Sequence, residues 1–393
     1  MSLNSLVELI FSAGSIERWN DHIRPSRGFT ELDKQAHKML YSYILSGLSD
    51  DIDRVKLVEG GIFELLHRLV LTDIKPPVFH RLMAEKGEQI NKWVISSLKE
   101  NLEEIPNGFF EKFKEYYENP EYSKPEKQLL DSAHYLATKW EFDIIYSSNS
   151  TYYGIDKTRR EIDLKLDSFS NLPYFSKFVH NENLKGFASL TGQLRFQQRW
   201  SKTPRLPATS VMGHMLIVAV FSYLCSCYLN ACPKRLTNNF FGGLFHDVPE
   251  VLTRDIVSPV KNSVEGLDEL IKEIEEIQMQ ETIYPLIPKE WQGELDYFTR
   301  NEFSSKIIKD GETIIMTTDE ISKSFNDDSF SPIDGEIIRL CDVFGALIET
   351  YFSHITGVTS PVLRSANADI YKAYKNSKIG GFDFAPMFEG FKI

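Results

Sequence analysis

Cysteine and positive charge are both scarce in this sequence. The 393 residues include four cysteines that form no CxxC pair: Cys225, Cys227, Cys232 and Cys341. Neither a disulfide framework nor a structural zinc site is therefore indicated. Lys and Arg number 44 against 56 Asp and Glu, which gives a formal net charge of −12. Because polymer binding depends on clustered cations, this balance argues against a nucleic-acid polymer as partner and leaves small anionic ligands open.

Signals for export and for membrane insertion are also weak. The N-terminal stretch MSLNSLVELIFSAG has no basic leader before its apolar residues, so a cytoplasmic location is the expectation. The longest uncharged run extends from Met215 to Cys232 and includes the polar residues Ser222, Ser226 and Asn230. We interpret this run as a buried helix of a soluble domain, and we expect no membrane partner.

Alternating strand patterns are rare, whereas apolar residues spaced three and four apart recur along the chain. Examples are Phe63-Leu66-Val70, Ile271-Ile274-Ile277 and Ile338-Cys341-Gly345-Ile348. The pattern predicts an all-α protein. A polar, turn-rich segment begins at Ser147 and continues toward Lys165. Since a chain of this length suits two domains, we predict domains at residues 1–150 and 186–393, with a linker region at 151–185.

The two halves of the sequence carry similar landmarks in the same order. The first half has Arg18-Trp19, His37, His67 and Asp131, and the second has Arg199-Trp200, His214, His246 and Asp342. This order indicates an internal duplication, although chance similarity between amphipathic helices is the alternative. Arg68 follows His67, whereas Asp247 follows His246. Because arginine cannot ligate a cation, the first half is predicted to be a degenerate copy without metal chemistry.

Four residues of the second half have the chemistry of a metal site. His214 precedes a long apolar run, His246 and Asp247 follow the apolar lead-in GGLF, and Asp342 lies in IIRLCDVFGAL. Ionised carboxylates in apolar surroundings are costly unless they are paired or bound to a metal. Any one of these residues alone could be a hydrogen-bonded core histidine or a helix cap. Together, imidazoles and carboxylates from separate elements favour a divalent metal site.

The order of His214, the His246-Asp247 doublet and Asp342 resembles the defining pattern of HD-domain phosphohydrolases. With LRFQQRW upstream and HDVPEVLTRDIVSPVK at the doublet, residues 190–360 resemble more narrowly the YfbR-like bacterial 5′-deoxynucleotidases. The resemblance implies an all-α HD-domain helical bundle in which the four side chains hold a divalent metal. Mn²⁺ or Co²⁺ is the expected ion, and Mg²⁺, Zn²⁺, Ni²⁺ and Fe²⁺ are the alternatives.

The resemblance also implies roles for four further residues. Glu250 would position or deprotonate the attacking water, and Asp255 would help to hold the nucleotide or its leaving oxygen. Arg199 would bind the phosphate, for which a guanidinium is well shaped, and Trp200 would pack against the sugar and exclude a 2′-hydroxyl. The alternatives are exposed helix-end acids for Glu250 and Asp255, a surface ion pair for Arg199 and a core aromatic for Trp200.

The expected function is hydrolysis of the phosphomonoester of a small nucleotide, above all a deoxynucleoside 5′-monophosphate. Two alternatives remain open. The first is an HD hydrolase of dNTPs or cyclic nucleotides, and the second is a regulatory module that senses a nucleotide without hydrolysing it. Since many HD nucleotidases act as dimers, the first half is expected to take the place of a partner subunit. A homo-oligomer is the alternative arrangement.

Overall fold

The computed structural model describes residues 2–19, 28–72, 74–254 and 264–393, and helices dominate these ranges. The first half contains α1 (Ser2–Ser12), α2 (Glu31–Gly47), α3 (Arg54–Leu71), α4 (Pro76–Leu102), α5 (Phe109–Glu118), α6 (Lys124–Asn149), α7 (Ile155–Asp167), α8 (Pro173–Val179) and α9 (Glu182–Gly192). The second half contains α10 (Val211–Tyr228), α11 (Pro233–Phe245), α12 (Glu250–Thr253), α13 (Leu267–Gln278), α14 (Lys289–Thr299), α15 (Gly335–Ile355), α16 (Pro361–Tyr374) and α17 (Ala385–Gly390). The prediction of an all-α fold is confirmed.

Strands are few and short in the described residues. Two antiparallel hairpins pair β1 (Lys306–Lys309) with β2 (Glu312–Ile315) and β3 (Lys378–Ile379) with β4 (Phe382–Asp383). Short 3₁₀, π or single-turn helical segments occur at Ala13–Ser15, Gln193–Phe196, Met279–Ile283, Tyr284–Leu286, Thr318–Glu320, Ile321–Phe325 and Asp328–Phe330. The hairpins lie outside the helices that carry the site.

The segment predicted as a linker region is largely helical, since α7, α8 and α9 occupy most of residues 155–192. The polar run that begins at Ser147 covers the end of α6 and the turn that leads into α7. Although α7 is rich in charge, it buries Ile155 and Ile162 in a small cluster with Phe142 and Ile145 of α6. Because Ile155 and Ile162 lie two helical turns apart, they face the same side of α7 and pack against α6. The domain boundaries remain a prediction.

The central element of the second half is α10. Ser210 caps its N-terminus by accepting a hydrogen bond from the Gly213 amide at 2.8 Å, and every residue from Val211 to Cys227 is buried. The helix packs against α2, α11 and α15. Among the described residues it is the one helix long and apolar enough to cross a membrane, yet 94% of it is buried in the protein. This burial is typical of the core helix of a soluble bundle.

Both halves contribute to one large hydrophobic core, which includes residues of α2 and α3 together with residues of α10, α11 and α15. Polar contacts cross the same boundary. The Ser210 hydroxyl donates to Asp33, and the Tyr223 hydroxyl donates to Glu59 at 2.9 Å. The first half therefore covers one flank of the helix that carries His214.

The close approach of α10 and α11 depends on Gly243. A Cβ at this position would lie 2.8 Å from Ala219 Cα and 2.9 Å from its backbone nitrogen. Because backbone atoms cannot rotate away, we expect Gly243→Ala to lower the free energy of unfolding by about 1–3 kcal/mol. Chemical denaturation would measure the change. Gly293→Ala in α14 is the matched control, since a Cβ there meets nothing within 4 Å; equal destabilisation by both variants would contradict this account.

Candidate metal centre

Three separate elements bring His214, His246 and Asp342 together. His214 lies in the first turns of α10, His246 directly follows α11, and Asp342 lies in α15. One potential ligand atom from each residue lies within 4.8 Å of the other two. Both histidines are buried, and the side chain of Asp342 is 25% exposed. The group therefore combines a protected interior with one side open to solvent, as a site for metal and substrate requires.

The orientation of His246 leaves one ring nitrogen available. Its Nδ1 lies 2.8 Å from the Gly243 carbonyl oxygen, and because a carbonyl can only accept, Nδ1 carries the proton. Nε2 is buried and has no hydrogen-bond partner, although Asp247 Oδ2 lies 3.1 Å away. Burial alone would lower the pKa of His246, but the carboxylates of Asp247 and Asp342 raise it to about 9. Nε2 therefore points into surroundings that favour a cation.

His214 is held in the same surroundings by Asp342 and Gly345. Its Nε2 lies 2.8 Å from Asp342 Oδ1, and its Nδ1 is buried without a hydrogen-bond partner. A Cβ at Gly345 would lie 2.8 Å from His214 Cε1 and 2.9 Å from Nδ1. Gly345, on the same helix as Asp342, therefore leaves the space that the imidazole occupies.

Asp247 and Arg199 border the group of three. Asp247 lies beside His246, and Arg199 places Nη1 3.8 Å from Asp247 Oδ2 and Nη2 3.9 Å from Asp342 Oδ1. Burial would raise the pKa of both carboxyls, but His246 lowers that of Asp247, His214 lowers that of Asp342, and Arg199 lowers both. Both carboxyls are therefore ionised at neutral pH. The structure brings three of the four predicted ligands into one group and places Asp247 beside His246, and the role of all four as ligands remains a prediction.

Of the other predicted site residues, the structure describes Glu250 and Trp200. Glu250 begins α12, is 9% exposed, and donates its backbone N–H to the Asp247 carbonyl at 3.0 Å. Its own carbonyl accepts from Gln197 Nε2 at 3.0 Å, which ties α12 to the segment before Arg199. Trp200 is half-buried and follows Arg199 directly. Asp255 lies outside the described residues.

Sequence reasoning missed Glu349, a fully buried carboxylate of α15. It accepts hydrogen bonds from Trp200 Nε1 at 2.8 Å and from Arg199 Nε at 3.4 Å. The available signal was a lone acidic residue in the apolar run GALIETYF, since such a charge must find a partner inside the protein. Glu141 in the first half is also fully buried, but Lys139 and Asp143 flank it in the sequence, so it gives no such signal.

These side chains fit a divalent transition metal. Two imidazoles and two ionised carboxylates supply the nitrogen and oxygen ligands that Mn²⁺, Co²⁺ and related ions accept. The buried Nε2 of His246, without a hydrogen-bond partner, is the atom that most needs such an ion. Two carboxylates beside these imidazoles give the charge balance that a divalent cation requires.

We expect the wild-type chain to bind one transition metal in this centre and His246→Gln to lose most of it, because the amide cannot replace Nε2. Metal analysis after equilibration with Mn²⁺ would measure the content, and circular dichroism would verify the fold. His67→Gln is the matched control, since His67 Nε2 pairs with Asn91 Oδ1 at 3.0 Å in the first half. Loss of metal from His67→Gln but not from His246→Gln would show that the metal binds in the first half, and would contradict this prediction.

Comparison with known families agrees with this geometry. Residues 191–370 match the family model described as HD domain, and the matched segment contains all four predicted ligands. No curated protein matches the chain. HD domains are typically metal-dependent hydrolases, which is the chemistry that the cluster of His214, His246 and Asp342 can support. Residues 191–370 of this chain are therefore similar to HD domains.

Proposed function

We propose that this chain is a soluble, cytoplasmic phosphohydrolase that removes the phosphate from a nucleotide, above all a deoxynucleoside 5′-monophosphate. The observation that carries the proposal is the position of Arg199, whose Nη1 and Nη2 lie 3.8 and 3.9 Å from carboxylate oxygens of Asp247 and Asp342. A guanidinium at the edge of a metal centre provides the second cation that a phosphate dianion needs.

Each residue of the centre then has a defined task. His214, His246, Asp247 and Asp342 would hold the metal, which when bound lowers the pKa of water and neutralises phosphate charge. Arg199 binds phosphate oxygens through its two Nη atoms, and Glu250 takes a proton from the attacking water. The water oxygen bonds to phosphorus as the bond from phosphorus to O5′ breaks. O5′ takes up a proton from solvent and leaves as the nucleoside hydroxyl, and Glu250 returns its proton to solvent. By the resemblance, Asp255 helps to hold the nucleotide or its leaving oxygen.

The choice of a deoxynucleotide depends on Trp200. Its indole follows the phosphate-binding Arg199 in the chain and is held through its N–H by Glu349 at 2.8 Å. A rigid ring against C2′ of the sugar leaves neither space nor a hydrogen-bond partner for an added hydroxyl. A dNTP or a cyclic nucleotide as substrate and a non-hydrolytic nucleotide sensor are the alternatives that experiment must separate.

We also infer that the first half is a second copy of the HD fold. Trp19 Nε1 donates to Glu141 at 2.8 Å, as Trp200 Nε1 donates to Glu349 at 2.8 Å. Trp19 has φ 63° and Trp200 has φ 57°, both in the left-handed region that bulky residues rarely adopt. The isolated bridge Glu17–Thr30 precedes α2 just as Gln198–Ser210 precedes α10.

The helix caps pair the residues of the two halves differently from the order of histidines in the sequence. Lys34 follows the cap Thr30 by four residues, as His214 follows the cap Ser210, so Lys34 rather than His37 corresponds to His214. His37 is a core histidine whose Nε2 lies 2.9 Å from the Ala188 carbonyl oxygen.

By the same counting, His134 rather than Asp131 corresponds to Asp342. His134 lies seven residues before Glu141, and Asp342 lies seven residues before Glu349. Lys34 Nζ lies 2.8 Å from His134 Nε2. Lys34 is fully buried, and burial together with Arg18 holds its pKa well below the usual value for lysine. A side-chain amine thus stands where the second half has its metal group, which supports a first half without metal chemistry.

Substrate screening tests the proposed activity. Purified protein with Mn²⁺, Co²⁺ or Mg²⁺ would be offered dAMP, dATP and cyclic AMP, and release of inorganic phosphate from dAMP is the expected result. Glu250→Gln is expected to abolish turnover while it keeps the metal and binds dAMP, because its task is to accept a proton. Loss of metal from this variant would make Glu250 a ligand, and full activity would remove it from the mechanism.

Sugar selectivity is tested by kcat/KM for dAMP and AMP in the wild type and in Trp200→Ala. We expect the wild type to prefer dAMP by roughly ten- to a hundred-fold, since a buried unpaired hydroxyl costs about 1–3 kcal/mol. Truncation should narrow the ratio by admitting AMP. Equal use of both sugars by the wild type would refute the deoxynucleotidase assignment, and an unchanged ratio in the variant would mean that another residue reads the sugar.

A further inference from the structure

Glu349 is a buried anion on which four groups converge. Trp200 and Arg199 donate to it, Arg205 Nη2 lies 3.5 Å from its Oε1, and the Thr209 hydroxyl donates to the same oxygen. Burial would raise the pKa of Glu349, but Arg205 and Arg199 lower it to about 2. The carboxylate is therefore charged at every physiological pH, and its hydrogen bonds are of the stronger, charge-assisted kind.

The guanidinium of Arg199 lies between Glu349 and the metal centre. Its Nε is held at 3.4 Å from Glu349, while its Nη atoms lie 3.8 Å from Asp247 and 3.9 Å from Asp342. A planar guanidinium fixed at Nε has little freedom left to turn its Nη atoms. Glu349 therefore decides which way the cation of Arg199 faces.

The indole of Trp200 is fixed by the same carboxylate. The residue adopts φ 57°, a backbone conformation that is costly for a bulky side chain and persists only where its surroundings impose it. The Trp200 carbonyl accepts from the Thr203 amide at 2.8 Å, and the neighbouring Arg199 amide donates to the Thr209 carbonyl at 3.0 Å. The backbone is held by the loop, and the ring is held by Glu349.

We propose that Glu349 is the positioning residue that aims both Arg199 and Trp200, and that it thereby sets phosphate affinity and sugar selectivity together. The inference rests on the proposed function for both the phosphate and the sugar, and on the geometry for the orientation of Arg199 and Trp200. Glu349 is not among the predicted metal ligands. It acts through the two side chains that it holds.

The first half contains a matched control. Glu141 is also fully buried, accepts from Trp19 Nε1 at 2.8 Å and from Arg18 Nε at 3.0 Å, and pairs with Arg195 at 2.6 Å. Replacing Glu141 removes the same charge from the same kind of environment on the side of the molecule without the predicted ligands. A loss that reflects only weaker folding should then appear in both variants.

The experiment compares Glu349→Gln with Glu141→Gln in the full-length, metal-loaded protein. Inorganic phosphate binding would be measured by isothermal titration calorimetry, and kcat and KM would be measured for dAMP and AMP. For Glu349→Gln we expect roughly ten-fold weaker phosphate binding, a higher KM for dAMP and a narrower dAMP-to-AMP ratio, with metal content unchanged. Glu141→Gln should change none of these beyond two-fold.

Each outcome decides the point. Unchanged phosphate affinity and sugar ratio in Glu349→Gln would overturn the proposal, and so would equal losses in both variants. If the wild type uses both sugars equally but Glu349→Gln still weakens phosphate binding, the deoxynucleotidase assignment and the selectivity role fail, while the positioning of Arg199 stands. Should Glu349→Gln not fold, Trp200→Phe keeps an aromatic ring but removes the N–H donor together with part of the indole; an unchanged sugar ratio in that variant would overturn the role of the hydrogen bond.

Discussion

Burial of like charges is the constraint on which the site depends. Asp342 and Asp247 each lie beside a buried imidazole, those of His214 and His246, and removing each carboxylate from water costs several kcal/mol. A divalent cation held by these side chains would offset that cost. The surrounding helices serve this arrangement: α10 is apolar on every side and buries His214, and Gly345 of α15 leaves room for its ring.

Local pattern was enough to predict the helices and the candidate ligands, but it could not predict their partners. The spacing of apolar residues indicated an all-α chain, and the order of His214, His246-Asp247 and Asp342 indicated the HD domain. Glu349 was missed because its importance lies in contacts with residues about 150 positions earlier in the chain. The polar sequence of α7 hid its helical character, since two buried isoleucines give too weak a periodicity.

The comparison of the two halves shows a further limit of sequence reasoning. The order of histidines in the sequence pairs His37 with His214, whereas in the proposed duplication the helix caps Thr30 and Ser210 pair Lys34 with His214. Capping fixes where a helix begins, and every side chain then takes its place by the helical repeat. Lysine is not a residue that a search for metal ligands selects, yet in the proposed duplication the amine of Lys34 would occupy the position that corresponds to His214.

The core that spans both halves restricts how this chain can be divided. Leu32 of α2 packs so closely on α10 that a Cβ at Gly213 would lie 3.0 Å from its Cδ2. A shortened chain of residues 191–370 would lack α2, so the apolar side of α10 that packs on α2 would be exposed to water. The packed unit is therefore larger than residues 191–370, and residues of the first half far from the centre contribute to the stability of the helix that carries His214.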